Sequence, residues 1–183
     1  MMSKINAATL SASVLTLLAL LLMSRFPAVP LWAMFIAWAC FFHLGGSEKP
    51  GETMLTANLH MGLGALASWL SALLLFANPF AGPWAELLWG PVVIACAIGL
   101  LMRTSLVSWL AATPAIIYGY AAIWAFLSVP GRFDVAVLRS SGMENALIAV
   151  LVAIVLGTCL GYVNAGLARW LARERGVAAG LVR

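Results

Sequence analysis

The sequence predicts an all-α fold, a polytopic transmembrane bundle of six helices, and three observations lead there. Of the 183 residues, 64% are hydrophobic and 9% are charged, whereas about a quarter of a soluble domain's residues are charged. The apolar residues gather into long runs punctuated by Pro, Gly and charge, the pattern of helices joined by turns. The last run carries no charge between Glu144 and Arg169. At 1.5 Å per residue, its roughly 24 residues are long enough to cross a hydrocarbon layer of about 30 Å with some tilt. In water such a chain would expose one large adhesive patch. The length accommodates a single integral membrane domain over 1–183 and leaves no room for an added soluble catalytic domain.

Taken in order, the first span covers 7–24, rich in Leu, Ala and Ser, and ends before Arg25 and the breakers Pro27 and Pro30. A secretory signal peptide would need a small-residue cleavage site after its apolar core, and none follows this run. The second span, 29–44, is short and aromatic, with Trp32, Phe35, Trp38, Phe41 and Phe42. The polar stretch His43–Glu52 contains Gly45-Gly46 and reads either as a turn or as the break of a helix that stops before crossing. The third span, 54–77, opens with Asn58 and His60 and continues with a seam of Gly64, Ser68 and Ala72. Asn78–Pro83 is a strong turn signal. The fourth span, 84–102, has Glu86 near its start and an internal Pro91 expected to bend the helix without ending it. The fifth, 106–127, carries Thr113-Pro114, the cluster Tyr118-Gly119-Tyr120 and a seam of Ala111, Ala115 and Gly119. A polar connection over 128–143 leads to the sixth span, 144–168, where small residues recur every fourth place: Ala149, Ala153, Gly157, Gly161 and Ala165. That seam invites close approach of another backbone, from this chain or from a second copy in a homo-oligomer.

Charge sets the orientation. With six crossings and both termini cytoplasmic, Lys4, Lys49, Arg103, Arg169, Arg173, Arg175 and Arg183 fall inside, and Arg25, Arg132 and Arg139 fall outside, the bias expected of a multi-pass protein. Five crossings would worsen that count. Each half ends in a helix with a small-residue seam and has an aromatic middle segment, opened by Trp32 and Trp109. Because each half has an odd number of spans, the halves would form a 3+3 inverted repeat. The net charge of +4 follows from this bias and comes with no aromatic-interleaved basic patch of the kind that binds nucleic acid. Cys40, Cys96 and Cys159 lie in three different apolar runs without CxxC spacing, as small buried side chains do.

Catalytic constellations are sparse. The two histidines, His43 and His60, lack HExxH or HxxxH spacing, and no nucleophile has a base at a recognisable distance. No catalytic, cofactor-binding or metal-ligating set is therefore expected. The informative groups are neutral polar side chains on apolar helices: Asn58, His60, Thr113, Tyr118, Tyr120, Thr158, Tyr162 and Asn164. Facing lipid, their amides and hydroxyls would lack partners, so they are expected to turn inward. They would serve either as interhelical hydrogen bonds or as contacts for a small neutral solute.

The run Trp32–Gly46 (WAMFIAWACFFHLGG), followed by Asn58-Leu59-His60-Met61-Gly62 and later Leu160-Gly161-Tyr162, resembles the DUF1097 family of small bacterial inner-membrane proteins over about Ser24 to Leu171. The aromatic segment ending in Gly-Gly is the specific part of that likeness. It implies an inner-membrane location and carries no substrate or residue roles across. The polar connection around Arg132–Gly142 is longer than in shorter members.

Two functions fit this reading. One is a channel or facilitator for a small neutral or weakly polar solute, with Trp38, Phe42, His43, Gly45, Gly46, Asn58, His60, Tyr118 and Tyr162 along the pathway and Phe42 as a constriction. The other is an accessory subunit that packs on a larger membrane partner through the Ala149–Ala165 seam.

Overall fold

The computed structural model describes residues 3–180, with side chains as far as Ala172. It contains seven helices: α1 (Lys4–Met23), α2 (Leu31–His43), α3 (Pro50–Phe76), α4 (Pro83–Arg103), α5 (Thr113–Leu127), α6 (Val135–Arg139) and α7 (Ala146–Gly180). Among the described residues, α1, α3, α4 and α7 are long and apolar enough to cross a membrane, while α2 and α5 are shorter apolar helices. Of the arginines assigned inside by the charge count, Arg173, Arg175 and Arg183 lie outside the described side chains.

Proline and caps fix the helix starts. Ser3 caps α1 by accepting from the Asn6 amide at 3.2 Å. Pro50 and Pro83 occupy the first turns of α3 and α4, where a missing N–H costs nothing. Pro50 therefore starts α3 a turn earlier than the expected 54, and Glu52 sits where the helix dipole favours a carboxylate. Pro114 has the converse effect on α5. The expected helix over 106–127 begins only at Thr113, because Pro114 has no N–H to bond the Leu110 carbonyl and its ring crowds that group. The preceding residues form two 3₁₀ turns, Thr104–Leu106 and Ser108–Leu110, which leaves Trp109 and Ala111 outside the helix. Pro91 lies inside α4 without interrupting it.

Gly45 and Gly46 end α2. Gly45 has φ +88°, the Gly45 amide donates to Phe42 O at 3.1 Å, and the Gly46 amide donates to Phe41 O at 3.0 Å, the paired bonds of a Schellman cap. The polar interruption is thus a helix terminus and turn, with the last carbonyls of α2, Cys40 to Phe42, satisfied.

Contacts give the helix directions. Ser11 of α1 bonds Asn164 while Ala19 and Met23 pack with Ala153, so α1 and α7 run antiparallel. Added Cβ atoms at Gly157 and Gly161 would meet Met34 and Phe41, so α2 and α7 run parallel. Asn58 pairs with Thr158, and Gly62 faces Leu151, which makes α3 antiparallel to α7. The Trp89 indole donates to Leu74 O at 3.1 Å, and Leu101 packs near Leu63 and Ala67, which reverses α4 against α3. Phe76 at the end of α3 meets Phe133 just beyond α5, with ring centroids 4.7 Å apart. The starts of α1, α3 and α5 therefore share one face, here the near face, with the ends of α2, α4 and α7.

The core lies where α2, α3, α5 and α7 meet, and glycine lets their backbones touch. A Cβ at Gly64 would stand 1.8 Å from Ile116 O, one at Gly119 1.9 Å from Met61 O, and one at Gly157 2.1 Å from Met34 O. Ala149, Ala153, Gly157, Gly161 and Ala165 are all buried within the chain, so α1 and α2 consume the seam that invited a homo-oligomer. α6 closes the far face. Asp134 caps it, Leu138 is fully buried, and the Leu138 carbonyl accepts from Trp69 Nε1 at 3.0 Å and from Asn145 Nδ2 at 2.9 Å. Asn145 also caps α7 through the Leu147 amide at 2.9 Å.

Candidate functional site

The polar side chains of the core sort onto two faces of α3. Asn58 turns towards α7: its Nδ2 donates to Met54 O and to Thr158 Oγ1, both at 2.9 Å, and Thr158 is fully buried. His60 lies on the stripe that continues through Gly64 and Ser68, four residues apart and hence on one face, and Gly64 sets that face against α5. The structure thus separates Asn58 from His60, which the sequence pairs.

His60 is 3% exposed. Its Nδ1 lies 2.7 Å from Thr56 O; a carbonyl only accepts, so Nδ1 carries a proton. Its Nε2 is buried without a partner, as are Ser68 Oγ and Trp124 Nε1. Farther along the stripe, the Tyr120 hydroxyl reaches Ser71 Oγ at 3.4 Å, and Ser71 donates to Ala67 O at 2.8 Å. From His60 to Ser71 the α3–α5 contact holds a ring nitrogen, hydroxyls and an indole N–H within otherwise apolar packing. In a hydrocarbon-surrounded protein an unmet polar group costs free energy that a hydrogen-bonding guest would recover.

The other expected pathway residues are dispersed. Trp38 is buried on α2 and stacks with Phe35, ring centroids 6.1 Å apart. His43 is exposed at the end of α2, its Nδ1 lying 3.1 Å from the half-buried Tyr118 hydroxyl. Gly45 and Gly46 form the helix cap, and the ring of Phe41 fills the space where a Gly46 side chain would go. Tyr162 is 46% exposed on the outer side of α7. It does not turn inward as expected; an amphipathic phenol can lie along apolar surface and carry its hydroxyl to the wet boundary. Cys96 and Cys159 likewise face outward, and only Cys40 is buried.

Phe42 lines a cleft of about 720 Å³ on the near face. The first turns of α1 (Lys4, Ile5, Ala8), Ser47 of the α2–α3 turn and the α7 stretch from Asn164 to Ala172 complete its walls. Sequence reasoning did not pick out this cleft, since its parts come from three distant segments. Among the described residues, no group of three or more His, Cys, Asp or Glu is placed to hold a metal ion. No curated protein and no solved structure matches the chain. A family model described as Protein of unknown function (DUF1097) matches residues 9–169, from the second turn of α1 to Arg169 on α7, and the chain therefore belongs to the DUF1097 family.

Proposed function

We propose that this protein is an inner-membrane facilitator for a small, uncharged, hydrogen-bonding solute, built as a 3+3 inverted repeat. One observation carries the proposal: the two halves bury corresponding positions. In α2 these are Ala33, Met34, Ala37, Trp38, Cys40 and Phe41; in α5, Ala115, Ile116, Gly119, Tyr120, Ala122 and Ile123 follow at one constant offset. The same offset carries Ser11 and Ala19 of α1 onto Val93 and Leu101, the two buried residues of α4. A second, longer offset carries every buried residue of α3 (Thr53, Ala57, His60, Met61, Gly64, Ala65, Ser68, Ser71, Ala72) onto a buried residue of α7, from Ala146 to Ala165. The extra residues fall in the connection that holds α6. Under this mapping the crossing of Gly64 with Ile116 O becomes that of Gly157 with Met34 O. The halves run in opposite directions through the bundle.

Inverted repeats of this kind support transport, with a site near the midplane where the repeats meet. There Trp38 and Tyr120 occupy equivalent places, the Asn58–Thr158 pair bridges α3 and α7, and His60 and Ser68 offer unmet hydrogen-bonding atoms. Their neutrality favours an uncharged solute, selected by width and by hydroxyl and amide contacts. Lys4, Lys49, Arg103 and Arg169 on the near face, against Arg25, Arg132 and Arg139 on the far one, favour a cytoplasmic near face and cytoplasmic termini.

The test is solute-driven volume change of proteoliposomes for a size series of uncharged polyols and amides. The expected result is faster entry than in empty vesicles for some members, diminished by His60→Ala and Ser68→Ala. Flux equal to empty vesicles across the series, with folded protein present, would refute it. A second reading, an accessory subunit, draws on α4, which is largely exposed and leaves an apolar groove against α3 lined by Leu70, Leu74, Trp89 and Val92. Co-purification of a stable unlike partner, together with absent flux, would favour it.

A further inference from the structure

We infer that the near-face cleft is a binding site for the headgroup of an anionic phospholipid, independent of any solute path between α3 and α5. Among the described residues, the polar side chains that line it are all hydrogen-bond donors or can act as such. Lys4 and Arg169 bring two positive charges, and among the described residues no carboxylate lines the cleft. Arg169 Nε donates to Ala165 O at 3.0 Å, which anchors the root of the guanidinium and leaves its terminal N–H groups to be used elsewhere. The Asn164 side-chain oxygen is occupied by the Ser11 hydroxyl, so the group Asn164 has to offer is its amide N–H. Ser47 adds a hydroxyl. Among the described residues the ion pair formed is Lys49–Glu52, neither of which lines the cleft. Several donors, two of them cationic and one a planar fork, match a phosphate diester.

The rest of the cleft is apolar, with Ile5, Phe42, Ala165 and Ala168 in its walls. Small side chains on α7 hold the space open. The cleft also lies at the right depth: Arg169 ends the uncharged run of α7, and Lys4 opens that of α1. Charge at the aqueous edge above an apolar wall is the profile of a phospholipid at the hydrocarbon boundary, and basic pockets between transmembrane helices on the cytoplasmic side bind such headgroups. A volume of about 720 Å³ suits a headgroup and the first part of its chains.

The second half of the chain supplies an internal control. The offsets that reproduce the buried core place Glu86 opposite Lys4, Phe76 opposite Arg169 and Val129 opposite Ser47. Positions needed for packing agree between halves, Asn164 with the buried Ser71 among them, and Lys4, Ser47 and Arg169 have no donor counterpart. The two cationic donors and the Ser47 hydroxyl are thus a feature of one face alone, beyond what the shared helix packing requires.

The test titrates the detergent-purified full chain with dioleoylphosphatidylglycerol and with dioleoylphosphatidylcholine, following lipid adducts by native mass spectrometry. Phosphatidylglycerol should bind more tightly than phosphatidylcholine, and Lys4→Gln with Arg169→Gln should weaken it roughly thirtyfold, as expected for two basic groups acting at a membrane surface. Arg25→Gln with Arg132→Gln, which changes net charge equally on the far face, should leave binding unchanged. Ala168→Leu, which fills the cleft without altering charge, should weaken it too. Arg169→Lys, which keeps the charge, should retain most of it and so shows that losses do not come from misfolding. Equal binding of the two lipids, unchanged binding in the near-face double variant, or full competition by millimolar inorganic phosphate would each overturn the assignment, the last by making this a soluble-anion site.

Discussion

Gly64→Ala is the sharpest test of how the bundle is held together. The added methyl carbon would lie 1.8 Å from Ile116 O and 2.8 Å from Tyr120 N, whereas ordinary contact begins at 3.4 Å. The obstacle is backbone on a packed helix, so no rotamer change relieves it; α3 and α5 must part by roughly 1.6 Å, a gap that forfeits most of the dispersion energy at the crossing. Overpacking of this type costs about 1–3 kcal/mol, and a rigid obstacle belongs at the upper end. Against this, alanine gains about 1 kcal/mol over glycine in helix propensity. The net expectation is a loss of about 2 kcal/mol. Gly157→Ala, 2.1 Å from Met34 O in the other half, should behave alike, while Gly99→Ala on α4, with nothing within 4 Å, should keep the propensity gain. The assay is denaturant unfolding of the full chain in detergent, followed by tryptophan fluorescence. A Gly64→Ala protein as stable as Gly99→Ala would refute the close α3–α5 crossing.

Two further outcomes follow from the same geometry. A double-mutant cycle of Asn58→Leu and Thr158→Val, read by the same unfolding assay, should give a coupling of about 0.6 kcal/mol, the average for hydrogen bonds between membrane helices, and no more than about 1.7; no coupling would mean the two side chains do not meet. In a background with all three cysteines replaced by alanine, Ser47→Cys should react with a membrane-impermeant maleimide only from the cytoplasmic side and Asn78→Cys only from the opposite side. Labelling of both from one side would overturn the crossing number.

Much of the bundle was legible in the sequence because hydrocarbon is a strict solvent: long uncharged runs have few alternatives to helix. The small-residue seams of α3 and α7 also announced close packing. Periodicity did not identify the neighbour, however, and the α7 seam is spent on α1 and α2 rather than on a second copy. Proline misled in both directions, since Pro50 begins a helix while Pro114 delays one. α6 escaped notice because five residues show no period, although Asp134 before an apolar run is a cap signal. In the candidate site, polarity marked His60 and Asn58 as inward-facing, but their separation by two residues puts them on different sides of α3. Tyr162 was misplaced for a related reason: a polar tip on a large apolar ring does not need to leave the lipid-facing side.

The crossing that stabilises α3 against α5 also lies between His60 and Ser68, two of the buried groups with unmet hydrogen-bonding capacity. A solute using both would have to separate the helices at Gly64, so the barrier to passage and the packing energy are the same contact. Under the proposed repeat that contact recurs at Gly157, where the corresponding flanking positions are Ala153 and Gly161 and offer no side-chain hydrogen bonds. A methyl group at Gly64 should therefore lower stability and change solute flux in proteoliposomes, without an ion leak, whereas one at Gly157 should lower stability by a similar amount and leave flux much closer to wild type. If polar groups along α3 serve packing alone, the two substitutions have no reason to differ in flux, and equal effects would remove the α3–α5 path from consideration.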